Sequence, residues 1–122
     1  MESFRCGELT VSLLETSAPA RLYLSWSGRG SDRDPQRTLT PFLQAVLDHA
    51  LASHASIELR CQGLTYVNAA TIGCIVDLVH RCEAAGVDVV VRYDATSRWQ
   101  KLSFEAMRML TKRAPRLVVE AS

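Results

Sequence analysis

The sequence predicts an α/β fold of two layers, a mixed sheet of four to five strands with helices packed mainly on one face. Three observations carry this. Two short alternating apolar stretches near the N-terminus, joined by a brief turn, have the form of an antiparallel hairpin. Between Ile57 and Tyr93 a strand, an amphipathic helix and a β-branched strand follow one another, the order of a parallel β-α-β unit. Finally, Ile57-Glu58-Leu59-Arg60-Cys61 alternates, so Glu58 and Arg60 fall on the face opposite its apolar residues. A strand covered on both faces would hardly carry both charges.

The elements follow in order. Leu9 to Leu14 reads as a first strand, with Leu9, Val11 and Leu13 alternating against Thr10 and Ser12. Thr16 to Pro19 supplies the turn, and Leu22, Leu24 and Trp26 mark the second strand. Ser27 to Arg37 is Gly-rich, polar and mixed in charge, and is expected as a loop that contacts a partner or merely links. No helix begins where its Gly-x-Gly would need one to bind a phosphate. A first helix starts near Thr38 to Pro41, with a stripe of Leu39, Phe42, Val46, Ala50 and Leu51, and ends near Ser53-His54.

The second helix is expected over Ala70 to Ala85, its stripe Ile72, Ile75, Val76, Val79 and Cys82 following helical spacing, with Gly86 as its stop. Val87 to Tyr93 is the next strand. Ser97 and Gln100 form a capping-box pattern opening a third helix. Its expected core stripe is Trp99, Leu102, Ala106, Met109 and Leu110, which leaves Phe104 and Met107 off the stripe, either as exposed apolar contacts or wrapped by the domain. Leu117 to Val119 can add a last short strand. Arg98, Lys101, Arg108, Lys112, Arg113 and Arg116 against Glu105 and Glu120 make this final segment locally basic.

At 122 residues the chain suits one domain, 1–122, with one core. Its 48% apolar and 22% charged content is that of a globular protein. A net charge of +1 offers no electrostatic case for nucleic acid. No apolar run is long enough to cross a bilayer, and Met1 to Arg5 lacks a signal-peptide core, so a cytoplasmic location is expected. Cys6, Cys61, Cys74 and Cys82 contain no Cys-x-x-Cys pair and read as small buried hydrophobes in a reducing compartment.

The functional signal lies in Gly63 to Gly73, a strand-to-helix turn. Such a turn displays side chains at a helix N-terminus, where unpaired N–H groups and the helix dipole favour an anion. Tyr66-Val67-Asn68-Ala69-Ala70-Thr71-Ile72-Gly73 resembles the apolar-apolar-Asp-Ser-Ser-Gly-Leu-Gly turn of the STAS domain family. The order of elements over nearly the whole chain resembles that family too. Asn68, with Tyr93-Asp94 and Trp99 to Phe104, looks closer to its SiaC-like subgroup.

The resemblance implies a regulatory, non-enzymatic domain of the anti-sigma factor antagonist kind, working by partner switching in bacterial signal transduction. In such domains a turn serine is phosphorylated by a histidine-kinase-like anti-sigma factor and dephosphorylated by a PP2C-type phosphatase. The SiaC-like subgroup works beside such a pair and can regulate a diguanylate cyclase. Phosphate adds roughly two negative charges, enough to abolish or create docking. Here the family's Asp falls on Asn68, its phosphoacceptor on Ala69, its second serine on Ala70 and its glycine on Thr71. Alanine cannot accept phosphate. Ala69 therefore implies a permanently unphosphorylated partner, phosphorylation displaced to Thr71, or another task for the domain.

The expected site is thus Asn68, Ala69, Ala70 and Thr71, with Arg33, Phe104 and Met107 as further interface and a protein as partner. A homodimer stays open. Alternatives are an accessory subunit of a membrane transporter and a small-ligand or nucleotide-sensing domain. An enzyme is not expected: His49, His54 and His80 are scattered, Asp32 and Asp34 sit on a loop, and no Gly-x-Ser-x-Gly surrounds Ser97 or Ser103. No cofactor or metal is expected.

Overall fold

The computed structural model describes residues 3–109 and 113–122. Among these, six strands form one sheet in chain order: β1 (Phe4–Cys6), β2 (Leu9–Ser17), β3 (Ala20–Gly30), β4 (Ser56–Val67), β5 (Val89–Tyr93) and β6 (Leu117–Ala121). The first three pair antiparallel, and β3 to β6 run parallel. The helices α1 (Leu39–Ser53), α2 (Ala69–Ala85) and α3 (Arg98–Met107) make the three crossovers. When parallel strands are added one after another in the same direction, crossovers of one hand put every helix on the same face. Accordingly Leu22, Leu24, Ile57, Leu59, Val89 and Val91 are buried beneath the helices, and the opposite face carries the polar members of each strand.

The expected fold class holds, with one strand more than expected. The addition is β1, which is only three residues long and has too short a pattern to read. The Gly-rich stretch differs more. Ser27–Gly30 continues β3 beside the extended β4, and Pro35–Arg37 forms a 3-10 turn, so the loop shrinks to 31–34. Backbone pairing overrides the side-chain composition here. Gly28 has φ +85°, and a Cβ there would lie 1.9 Å from the Glu8 carbonyl oxygen, so glycine is what lets the strand pass.

The helix faces needed correction too. In α1, Leu43 and Leu47 are buried while Leu51 is exposed and Phe42 only partly covered. In α2, Thr71, Cys74 and Leu78 join Ile75, Val79 and Cys82 inside, and Ile72 and Val76 move to the flank. Gly86 ends α2 in the left-handed region, as expected. In α3 the inward residues are Gln100, Phe104 and Met107, whereas Leu102 is 67% and Met109 71% exposed. Phe104, expected as a surface contact, is fully buried between Tyr93 and Trp99, and Met107 is in the core as well. Leu110 and Lys112 lie outside the described residues.

The cysteines behave as buried hydrophobes with one exception. All four are free thiols, and Cys61, Cys74 and Cys82 are buried. Burial raises each of these thiols above its ordinary range, Cys82 up to about 12. Cys6 is only half-buried. A thiol-reactive dye should therefore label Cys6 first in the folded protein and the other three at least about 100-fold more slowly, a difference that denaturant removes. Mass spectrometry of the labelled peptides reads this directly, and rapid native labelling of Cys74 would contradict it.

Candidate interaction site at the turn between β4 and α2

Asn68 builds the turn. It precedes α2 with extended backbone (φ −80°, ψ 171°), and its Oδ1 accepts from the Thr71 backbone N–H at 2.9 Å, a helix N-cap. The same Oδ1 accepts the Thr71 hydroxyl at 2.7 Å. On its other side, Asn68 Nδ2 donates to the Asp32 carbonyl at 2.7 Å, and the Asn68 backbone N–H donates to the Gly30 carbonyl at 2.8 Å. An aspartate could cap the helix but has no donor for Asp32. Asparagine at this position thus has a local physical reason: it ties the turn to the loop after β3.

That loop is itself braced. Asp32 Oδ1 accepts from the Asp34 backbone N–H at 3.0 Å, and its Oδ2 accepts the Cys6 thiol at 3.5 Å. Gly30 packs closely here: a Cβ would lie 3.1 Å from both Thr71 Cγ2 and Val67 Cγ1, a tight contact that these side chains would have to shift to admit. Arg33 is exposed on the same loop, next in sequence to the residue that holds Asn68.

The four turn residues are therefore unequal. Thr71 has 0% exposure and its hydroxyl is committed to Asn68, so it forms part of the frame. Asn68 and Ala70 are half-buried. Ala69 is exposed at the first position of α2. Two positions before Asn68, Tyr66 is 40% exposed, with the Arg29 guanidinium 4.8 Å from its ring centroid. Neither Tyr66 nor Arg29 stands out by spacing in the sequence; a large aromatic beside a turn of small residues is the available signal. Next to the turn, an apolar groove between α2 and α3 is lined by Ile72, Val76, Ser103, Ala106 and Met107.

The capping box expected at α3 does not form. Ser97 makes no side-chain cap, and Gln100 instead turns inward. Its Nε2 donates to the Cys61 carbonyl at 3.0 Å and the Leu64 carbonyl at 2.9 Å, and its Oε1 accepts the Asp94 N–H at 2.9 Å. The β4–β5 pairing stops at Arg60, so beyond it β4 has no strand partner on the β5 side, and the carbonyls of Cys61 and Leu64 take the glutamine amide instead. Gln100 thereby secures the stretch of β4 that leads into the turn.

Other titratable groups lie elsewhere. His49 pairs with Glu15 at 3.0 Å, at the far end of the sheet where β3 and β4 begin. A concavity of about 510 Å³ near His54, Ser56, Gly86 and Asp88 is at that end too. Among the described residues, no group of three or more His, Cys, Asp or Glu could hold a metal ion. No helix among them is long and apolar enough to cross a membrane.

Comparison with known proteins gives the fold a counterpart. No protein-family model matches the sequence, and no curated protein sequence does either. Among solved structures, the chain is similar to one from the complex of diguanylate cyclase SiaD with its activator SiaC from Pseudomonas aeruginosa. That match has a TM-score of 0.63 and 18% identity over 100% of both chains. It is equally similar to SiaC of Pseudomonas aeruginosa, with a TM-score of 0.63 and 17% identity over 100% of both chains. The α/β architecture with its one-sided helix layer is shared with these proteins.

Proposed function

We propose that this chain is a non-enzymatic regulatory module that docks a protein partner through the turn at Asn68 to Thr71 and the adjoining start of α2. The observation that carries the reading is the exposed methyl of Ala69 at the first position of α2, with the Thr71 hydroxyl buried and bonded beside it. The turn is held by hydrogen bonds on both sides of Asn68, is presented at a helix N-terminus, and from Asn68 to Thr71 exposes no hydroxyl for a kinase to modify. Thr71 acts as a positioning residue, and the module stays in the state an unphosphorylated relative would occupy. SiaC is described as the activator of a diguanylate cyclase. By that likeness the partner is a bacterial signalling protein of the cytoplasm, either a cyclase of that kind or a kinase-like or PP2C-type regulator.

Introducing charge at Ala69 tests this. Ala69→Asp puts a carboxylate at the N-terminus of α2, where the dipole stabilises the fold by about 0.3–1 kcal/mol. Partner recovery should nevertheless fall at least about tenfold, because phosphate-like charge enters a neutral docking surface. The check is affinity isolation of the tagged chain from its native host with identification by mass spectrometry, beside a melting curve of each variant. Unchanged recovery with Ala69→Asp would remove the turn from the interface. Recovery of a permease and its ATPase would replace this reading with that of a transporter subunit.

A further inference from the structure

The helix-free face of the sheet holds a second constellation. At its centre Glu58 has a side chain only 3% exposed, although among the described residues no helix covers that side. Three guanidiniums bury it: Arg60 Nε at 2.6 Å, Arg92 Nε at 3.3 Å and Arg21 Nη1 at 3.4 Å. Arg60 and Arg92 are register neighbours on β4 and β5, so without Glu58 like charges would stand side by side. The arginines are fixed from outside as well. Arg21 Nε donates to Ser56 Oγ at 3.1 Å, Arg92 pairs with Glu120 at 3.5 Å, and the Arg60 guanidinium lies 4.3 Å from the Tyr23 ring centroid.

Neutralising one carboxylate takes one guanidinium. Here there are three, and Glu120 at the rim offsets only one of the two in excess. Among the described residues, Arg60 spends Nε on Glu58 and its π-face on Tyr23, which leaves both terminal amino groups for an incoming acceptor. A planar fork held in place loses little entropy on binding a carboxylate in bidentate fashion. Around it lie Tyr23 and Val90, half-buried, and Leu14 and Val118, exposed. Arginine and tyrosine among apolar side chains is the composition of a protein-interface centre.

We propose that this open sheet face is a second docking surface, which takes an acidic segment of a partner protein, a carboxylate of the segment seating on Arg60. The excess charge is too small for nucleic acid, whose binding grows with the number of phosphates neutralised. A second copy of this chain would bring the same excess of positive charge against it. With the turn reading, this makes the chain a two-sided adaptor; the surface itself does not depend on that reading, because it shares no residue with the turn.

The test is titration of the full ¹⁵N-labelled chain with an acetylated hexaglutamate peptide, followed by NMR at low and physiological salt. The expected result is shifts of the Nε–Hε signals of Arg21, Arg60 and Arg92 and of the β3 and β4 amides around Tyr23 and Ser25, while the amides at Ala69 to Thr71 stay still. Arg60→Gln should weaken binding about tenfold, since Arg21 and Arg92 still hold Glu58 folded. Arg60→Lys should recover only part, because it keeps charge without the fork. The proposal is overturned if the shifts fall at the turn instead, or if Arg60→Gln leaves affinity unchanged. It is equally overturned if hexathymidylate or phosphatidylserine vesicles bind this face more tightly at physiological salt. Self-association in sedimentation that Arg60→Gln abolishes would assign the face to a second copy and overturn it too.

Discussion

Replacing Glu58 with glutamine should lower stability by about 2–3 kcal/mol at neutral pH, measured by urea denaturation. Glutamine has the same length but no charge, and its amide N–H₂ would meet donors where the carboxylate met acceptor-seeking guanidiniums. Removing one partner of a fully buried ion pair costs about 3–5 kcal/mol. The arginines here are roughly a third exposed, so water screens part of the repulsion left behind and the figure drops. Burial alone would push the Glu58 carboxyl up; the hydrogen bonds and charges of Arg60 and Arg92 outweigh it and hold the carboxyl below its ordinary 4.5. A depressed carboxylate contributes its stability fully above its unfolded value and loses it as pH falls toward the folded one. The gap between wild type and Glu58→Gln should therefore be constant above about pH 5 and close below 4.5. A gap that persists unchanged at pH 3, or none at pH 7, would mean the carboxylate does not hold this cluster.

Gln100→Leu should cost about 3 kcal/mol, although leucine is apolar, similar in size and placed in a buried helix position. The loss comes from the groups left behind. The carbonyls of Cys61 and Leu64 and the backbone N–H of Asp94 would each lose their buried partner, and an unsatisfied buried polar group costs about 1–3 kcal/mol. Hydrogen exchange should report the damage locally as well, with the Asp94 amide losing protection before the centre of β4 does. Because Gln100 braces the lead into the turn, the variant should also weaken partner binding more than Glu58→Gln does. Wild-type stability with leucine at this position would show that solvent or a shifted backbone satisfies these groups.

These two positions also mark where reading the sequence stopped. Glu58 was placed correctly on the face opposite Ile57 and Leu59, but alternation says only which face a side chain occupies. That it would be buried there depends on Arg21 from β3 and Arg92 from β5, brought alongside by the sheet. Gln100 was read as a local cap because a glutamine three residues after Ser97 has a familiar short-range use. Its real partners lie 36 and 39 residues away. The stripe through Trp99 and Leu102 has helical spacing as well, but Leu102 is exposed and Gln100 lies inward. Spacing left Phe104 and Met107 open between surface contact and burial, and the tertiary packing buries both.

By itself the sequence determined what nearest neighbours along the chain can encode. It contained the strand alternation, a helix from about Ala70 to Ala85 with Gly86 as its stop, one residue short of the observed start, and the parallel unit around it. Strand period, helical spacing and end residues act within a few positions, so they survive without tertiary context. The tertiary structure alone decided the length of β4, the inward face of α3, the burial of Thr71 and the arginine cluster around Glu58. Each of those depends on backbone or charge supplied by a distant strand, and a polar side chain goes inside only where such partners are waiting.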